Sequence, residues 1–132
     1  MMCPTKESQT FLAGTDVLIV DDSLMIRTLL NDLLAHLGMN IHLAADGNEA
    51  LELFKKKHFD LILMDLNMPK LNGIATTVQL RSKGCSCPII GITSASDCEI
   101  EKASQLGFNA FIEKPVDATI LVNKITNILN IK

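Results

Sequence analysis

The sequence predicts an α/β fold in which a doubly wound, five-stranded parallel sheet is flanked by five helices. Five short runs are apolar at nearly every position, the pattern of strands covered on both faces. The segments between most of them place apolar residues at helical spacing, and strands alternating with helices imply parallel pairing through right-handed crossovers.

Val17-Leu18-Ile19-Val20 makes the first strand and stops at Asp21, Asp22 and Ser23, residue types that start helices. In the helix expected over 25–37, Ile26, Leu29, Leu30, Leu33, Leu34 and Leu37 line one face, and Gly38 ends it. A second strand is expected around Ile41-His42-Leu43-Ala44. Asp46-Gly47 then turns the chain into a helix over 48–57 that directs Ala50, Leu51 and Phe54 inward. The third strand, Leu61-Ile62-Leu63-Met64, ends at Asp65. Met68 through Gly73 reads as loop, with a helix following to Arg81; Lys83-Gly84 and Pro88 bracket the next turn. Ile89-Ile90-Gly91-Ile92 is the fourth strand, ending at Thr93, and a helix is expected over 96–106 with Gly107 as its cap. Ala110-Phe111-Ile112 is the fifth strand, ending at Glu113-Lys114. The last helix, over 118–129, turns Leu121, Val122, Ile125, Ile128 and Leu129 inward. Residues 1–14 read as a short leader and 15–132 as a single domain.

Composition narrows the function classes. Twelve Lys and Arg against 15 Asp and Glu give a net charge of −3, which lacks the basic excess of a broad nucleic-acid surface. The Lys55-Lys56-Lys57 run suits a solvated helix end. The sequence lacks a signal-peptide core, and no apolar run approaches the roughly 20 residues that span a bilayer, so a cytoplasmic chain without membrane insertion is expected. Cys3, Cys85, Cys87 and Cys98 do not form a disulfide framework. Neither a second cysteine pair nor a spaced histidine pair accompanies Cys85 and Cys87, so metal or redox chemistry is not expected there. His36, His42 and His58 have ordinary surroundings, and no dinucleotide-binding glycine fingerprint follows the first strand.

The exceptional polar residues fall at strand ends. In a parallel α/β sheet, sites form beyond the carboxyl ends of the strands. Asp21 and Asp22 follow strand 1, Asp65 follows strand 3, Thr93 strand 4 and Lys114 strand 5. If those strands are neighbours, the groups share one pocket. Three carboxylates together repel one another and call for a hard divalent cation. A small ligand set favours Mg²⁺, which keeps several waters beside one or two carboxylates and a phosphate. A lysine and a threonine hydroxyl can then meet phosphoryl oxygens. Asp21 and Asp22 pair as a metal-binding unit, which leaves Asp65 as the better nucleophile for an acyl phosphate.

VLIVDDS at 17–23, LILMDLNMPKLNG at 61–73, PIIGITS at 88–94 and FIEKP at 111–115 together resemble the receiver domain of two-component response regulators, over about residues 15–130. The resemblance implies a chemotaxis-regulator-like fold with flavodoxin-like strand order 2-1-3-4-5. It makes Asp65 the phospho-acceptor, Asp22 a direct ligand of Mg²⁺, Asp21 a holder of metal-bound water, and Asn67 a ligand through its backbone carbonyl. Lys114 would pair with Asp65 or its phosphate, Thr93 would move toward the phosphoryl group, and Phe111 would be the aromatic switch. Lys114-Pro115 matches a peptide bond often held in cis in this family.

The implied activity is transfer from a phosphohistidine on a sensor histidine kinase or histidine-phosphotransfer protein to Asp65. It would change the surface of helix 4, strand 5 and helix 5, roughly 96–130, in a switch more than a turnover enzyme. The short tail after Leu129 favours an independent chain over a domain cut from a hybrid kinase or multidomain regulator. A fold-only interaction domain would have lost acidic or lysine positions, and a haloacid-dehalogenase-like phosphatase would need a DxD arrangement where Leu66-Asn67-Met68-Pro69 follows Asp65.

Overall fold

The computed structural model describes residues 13–68, 72–94, 101 and 104–130. In chain order the elements are β1 (Asp16–Val20), α1 (Leu24–Ala35), β2 (Asn40–Ala44), α2 (Gly47–Lys56), β3 (Leu61–Asp65), α3 (Gly73–Ser82), β4 (Ile89–Thr93), β5 (Ala110–Glu113) and α4 (Ala118–Asn130). All pairings are parallel, in the order β2-β1-β3-β4-β5.

One expectation is corrected. The described residues hold four helices, not five. The one not found among them is the helix expected over 96–106: residues 95–100, 102 and 103 lie outside the described set, 101 and 104 are helical, and 105–107 form a turn. The leader expected over 1–14 lies mainly outside the described residues, which begin at Ala13.

The apolar strands are apolar throughout because alternate residues feed two separate cores. Val17 and Ile19 of β1, Leu61 and Leu63 of β3, Ile90 and Ile92 of β4 and Ile112 of β5 pack against Leu30 and Leu34 of α1 and Leu121 and Ile125 of α4. The intervening residues Leu18, Val20, Ile62, Met64 and Ile89 face the other way, onto Ala50 and Leu51 of α2 and Leu80 of α3. Every residue of β3 and β4 is buried.

Each of the four described helices starts on a side chain that satisfies one of its orphan amides. Ser23 Oγ accepts from Ile26 N, Asn72 Oδ1 from Ala75 N and Asp117 Oδ1 from Ile120 N. At α2 the cap is reciprocal: Glu49 N donates to Asp46 Oδ1 while Ala45 N donates to Glu49 Oε1. These caps set the loops at the carboxyl edge of the sheet, where the polar strand-end residues lie.

Gly73, the first residue of α3, sets how close that helix comes. A Cβ there would fall on the backbone of Asp65 and Leu66. Gly73→Ala gains helix propensity, about 1 kcal/mol, but must displace the β3–α3 junction. We expect a net loss of about 1–3 kcal/mol, read as a lower urea midpoint with unchanged slope.

Candidate functional site

The register aligns the strand ends. Val20 lies opposite Met64, so Asp21 and Asp65 are the next residues at the same level; Asp65 lies opposite Ile92, one residue short of Thr93. The closest carboxylate oxygens of Asp21, Asp22 and Asp65 all lie within 4.8 Å of one another. Asp21 and Asp65 are 2% and 1% exposed, whereas Asp22 is open to solvent. A cleft of about 250 Å³ runs from these residues past Asn67 and Lys114 to Ile26, Leu29 and Val116.

Asp65 accepts two hydrogen bonds on one oxygen. Lys114 Nζ and Asn67 N each donate to Oδ1 at 3.0 Å. The strand supplies rigidity and the loops supply the donors. Lys114 follows β5 and is held at its backbone by donation from its own N–H to Thr93 O at 2.9 Å, before a cis bond to Pro115. Asn67 is exposed, and its Oδ1 accepts from Ser94 N at 3.4 Å, which turns that side chain toward the loop after β4. Thr93 is fully buried at the end of β4.

Asp21 has the strained electrostatics. Its Oδ1 accepts from Ser23 N at 2.8 Å, but its Oδ2 is buried without a hydrogen-bond partner. Burial pushes its carboxyl above the usual carboxylate range. The Ser23 amide opposes that rise, the Asp65 charge adds to it, Lys114 opposes it, and Asp22 adds a smaller increment. A buried, unpaired oxygen costs about 1–3 kcal/mol, and a cation between the carboxylates would remove that cost. The donor set of two buried carboxylates and one exposed carboxylate, all oxygen, fits a small hard ion with room for water.

Phe111 lies apart from the carboxylates. It is half-buried opposite Gly91, its ring 5.3 Å from that of Phe108, on the side of the sheet covered by α2 and α3. A Cβ on Gly91 would collide with the Phe111 ring, so the glycine makes the space this ring occupies.

Two residues that shape the site were not anticipated. Arg27 Nη1 on α1 donates to Asp21 O at 2.7 Å, tying the first helix to the β1 loop, and Gly73 permits the approach of α3 to Asp65. Arg27 stands four residues after the Ser23 cap, one helical turn in, which was its only signal.

Known proteins share this architecture. Residues 17–126 match the response regulator receiver domain as a family. Sensor histidine kinase RcsC of Escherichia coli (strain K12) is 35% identical over 111 residues, 83% of this chain but only 12% of that protein's length. Two-component response regulator 24 of Arabidopsis thaliana is 36% identical over 115 residues, 86% of this chain and 80% of that protein. The receiver domain of sensor histidine kinase PA1611 from Pseudomonas aeruginosa PAO1, solved with a magnesium ion coordinated in its active-site cleft, superimposes with a TM-score of 0.82 at 30% identity, covering 90% of this chain and all of that one. Among the described residues no helix is long and apolar enough to cross a membrane. The sheet order, the acidic cluster at its carboxyl edge and the extent of these matches lead to one assignment: this chain belongs to the response regulator receiver domain family.

Proposed function

We propose that this chain is a phosphoacceptor switch that takes a phosphoryl group from a phosphohistidine partner onto Asp65. The observation that carries the reading is the position of Asp65: it ends a wholly buried strand, shares a 4.8 Å cluster with two more carboxylates and accepts from Lys114. A sensor histidine kinase or histidine-phosphotransfer protein is the donor class, supported by the likeness to receiver segments of sensor kinases. Residues 15–132 form the receiver unit in this reading.

Asp21, Asp22, Asp65 and the Asn67 carbonyl would hold Mg²⁺, which when bound offsets the carboxylate charge and draws phosphoryl oxygens into the cluster. An oxygen of Asp65 attacks phosphorus in line, the P–N bond breaks, and the imidazole nitrogen leaves with the electron pair. Lys114 Nζ, already 3.0 Å from Asp65 Oδ1, meets the charge of the incoming group, and Thr93 donates its hydroxyl to a phosphoryl oxygen. Water later hydrolyses the acyl phosphate and restores the carboxylate. Coupling runs along Thr93 and Phe111 to β5 and α4, biasing a two-state equilibrium.

Incubation with acetyl phosphate and Mg²⁺ should add one phosphoryl group, seen by intact mass, and chelation with EDTA should prevent it. Uptake that ignores chelation would contradict the proposed ion. Lys114→Ala should still bind the cation yet lose most of the phosphorylation-induced resonance shifts in β5 and α4. Unchanged shifts would remove Lys114 as the coupling group.

A further inference from the structure

At the other end of the sheet, the turn between α3 and β4 brings two thiols into contact. Cys85 Sγ and Cys87 Sγ are 3.7 Å apart. Cys85 is 6% exposed, and Cys87 lies nearer the surface. Arg81 holds the turn in place. Its Nη1 donates to Cys85 O at 3.0 Å and Cys87 O at 2.7 Å, while Nε and Nη2 donate to Gly107 O at 3.1 and 2.6 Å. Nη2 also donates to Asn109 Oδ1, which in turn accepts from Ile89 N. The guanidinium thus locks both cysteine carbonyls to the chain entering β5 and stands 3.9 Å from Cys85 Sγ.

Packing alone requires neither two thiols in contact nor a cation beside one of them. The Cys85 thiol is lowered to about 6, first by its hydrogen bond with Cys87, with burial opposing and the Arg81 and His58 charges assisting. The Cys87 thiol is raised, by its contact with Cys85 and by burial. The Arg81 guanidinium 3.9 Å from Cys85 Sγ favours the thiolate on that sulfur, with Cys87 as the neighbouring thiol. The sulfurs already lie 3.7 Å apart, and closing that gap to a disulfide bond requires side-chain rotation.

We propose that Cys85 and Cys87 form a hydroperoxide-sensitive pair that closes reversibly to an intrachain disulfide. Cys85 sulfur attacks the distal oxygen of a hydroperoxide, the O–O bond breaks, and the alkoxide leaves and takes a proton. The product is the Cys85 sulfenic acid. Cys87 sulfur then attacks Cys85 sulfur, the S–O bond breaks, and hydroxide departs with the Cys87 proton as water. Two thiols are oxidised and one peroxide is reduced to alcohol and water. A small oxidant suits the mostly covered Cys85, and an external thiol reverses the change.

The test uses the full chain carrying Cys3→Ser and Cys98→Ser, with hydrogen peroxide as the probe. The expected product is lighter by two hydrogens, resists alkylation at both thiols and regains both with dithiothreitol. In the same background Cys87→Ser should accumulate a dimedone adduct on Cys85, because no second thiol resolves the sulfenic acid. Persistence of two alkylatable thiols under peroxide that oxidises free glutathione would overturn the proposal, as would disulfide found only between chains. Dimedone captured on Cys87 in a Cys85→Ser chain but never on Cys85 in the Cys87→Ser chain would overturn the assigned roles.

Discussion

Asp65→Asn is expected to take up no phosphoryl group from acetyl phosphate and Mg²⁺ under conditions that modify the unaltered protein once. The amide keeps the shape of the carboxylate and can still accept from Lys114 Nζ and Asn67 N, so the loops stay in place. What it loses is the anionic oxygen that must bond to phosphorus, and no neighbour is set to replace it. Asp21 is anchored by Ser23 N and tied through its carbonyl to Arg27, and Asp22 faces solvent. Residual labelling should thus stay at background instead of shifting by one strand. Phosphate mapped to Asp21 in the unaltered protein would sink the assignment.

Asp21→Asn should separate stability from cation binding. Burial holds the Asp21 carboxyl above its ordinary value of 3.8. A carboxyl raised on folding favours the folded state fully only below its unfolded pKa, and that contribution is lost as pH rises through the folded value. The metal-free protein should therefore lose stability as pH climbs from about 4 toward neutrality, and the Asn chain should lack that part of the slope. At pH 7 without divalent ions we expect the variant to be the more stable by about 1 kcal/mol, because the partnerless Oδ2 no longer carries charge. Mg²⁺ should reverse the order. Ligand binding to the folded state raises stability with concentration, and loss of one carboxylate should weaken that effect by on the order of 10- to 100-fold in affinity. Thermal melts at pH 5 and 7, with Mg²⁺ or EDTA, measure all four corners. An Asn chain stabilised by Mg²⁺ as strongly as the original would remove Asp21 from the ligand set.

The strand ends were legible because an apolar run that stops at Asp or Thr is a sharp boundary, and parallel topology gathers such boundaries at one edge. Asp21, Asp22, Asp65 and Lys114 come together for that reason. Phe111 was placed correctly on β5, where its ring packs against Phe108. α3 was harder to read, since its buried face is built from Gly73, Thr76 and Thr77 along with Leu80 and so has almost no apolar period. The helix expected over 96–106 falls mainly on residues outside the described ones, of which 101 and 104 are helical. Arg27 and Gly73 were invisible because each depends on a distance across elements that local pattern does not encode, whereas Cys85 and Cys87 read as a close pair in a turn.

The pocket draws its polar groups from the carboxyl ends of three strands of one sheet, Asp21 and Asp22 after β1, Asp65 on β3 and Lys114 after β5, the last of the described strands in chain order. A chain still emerging from the ribosome with β5 undocked has Asp65 without its cationic partner. On the proposed function, coupling of the phosphate to β5 and α4 is then acquired only once the sheet is complete, so a copy with β5 undocked can be modified without passing the change on.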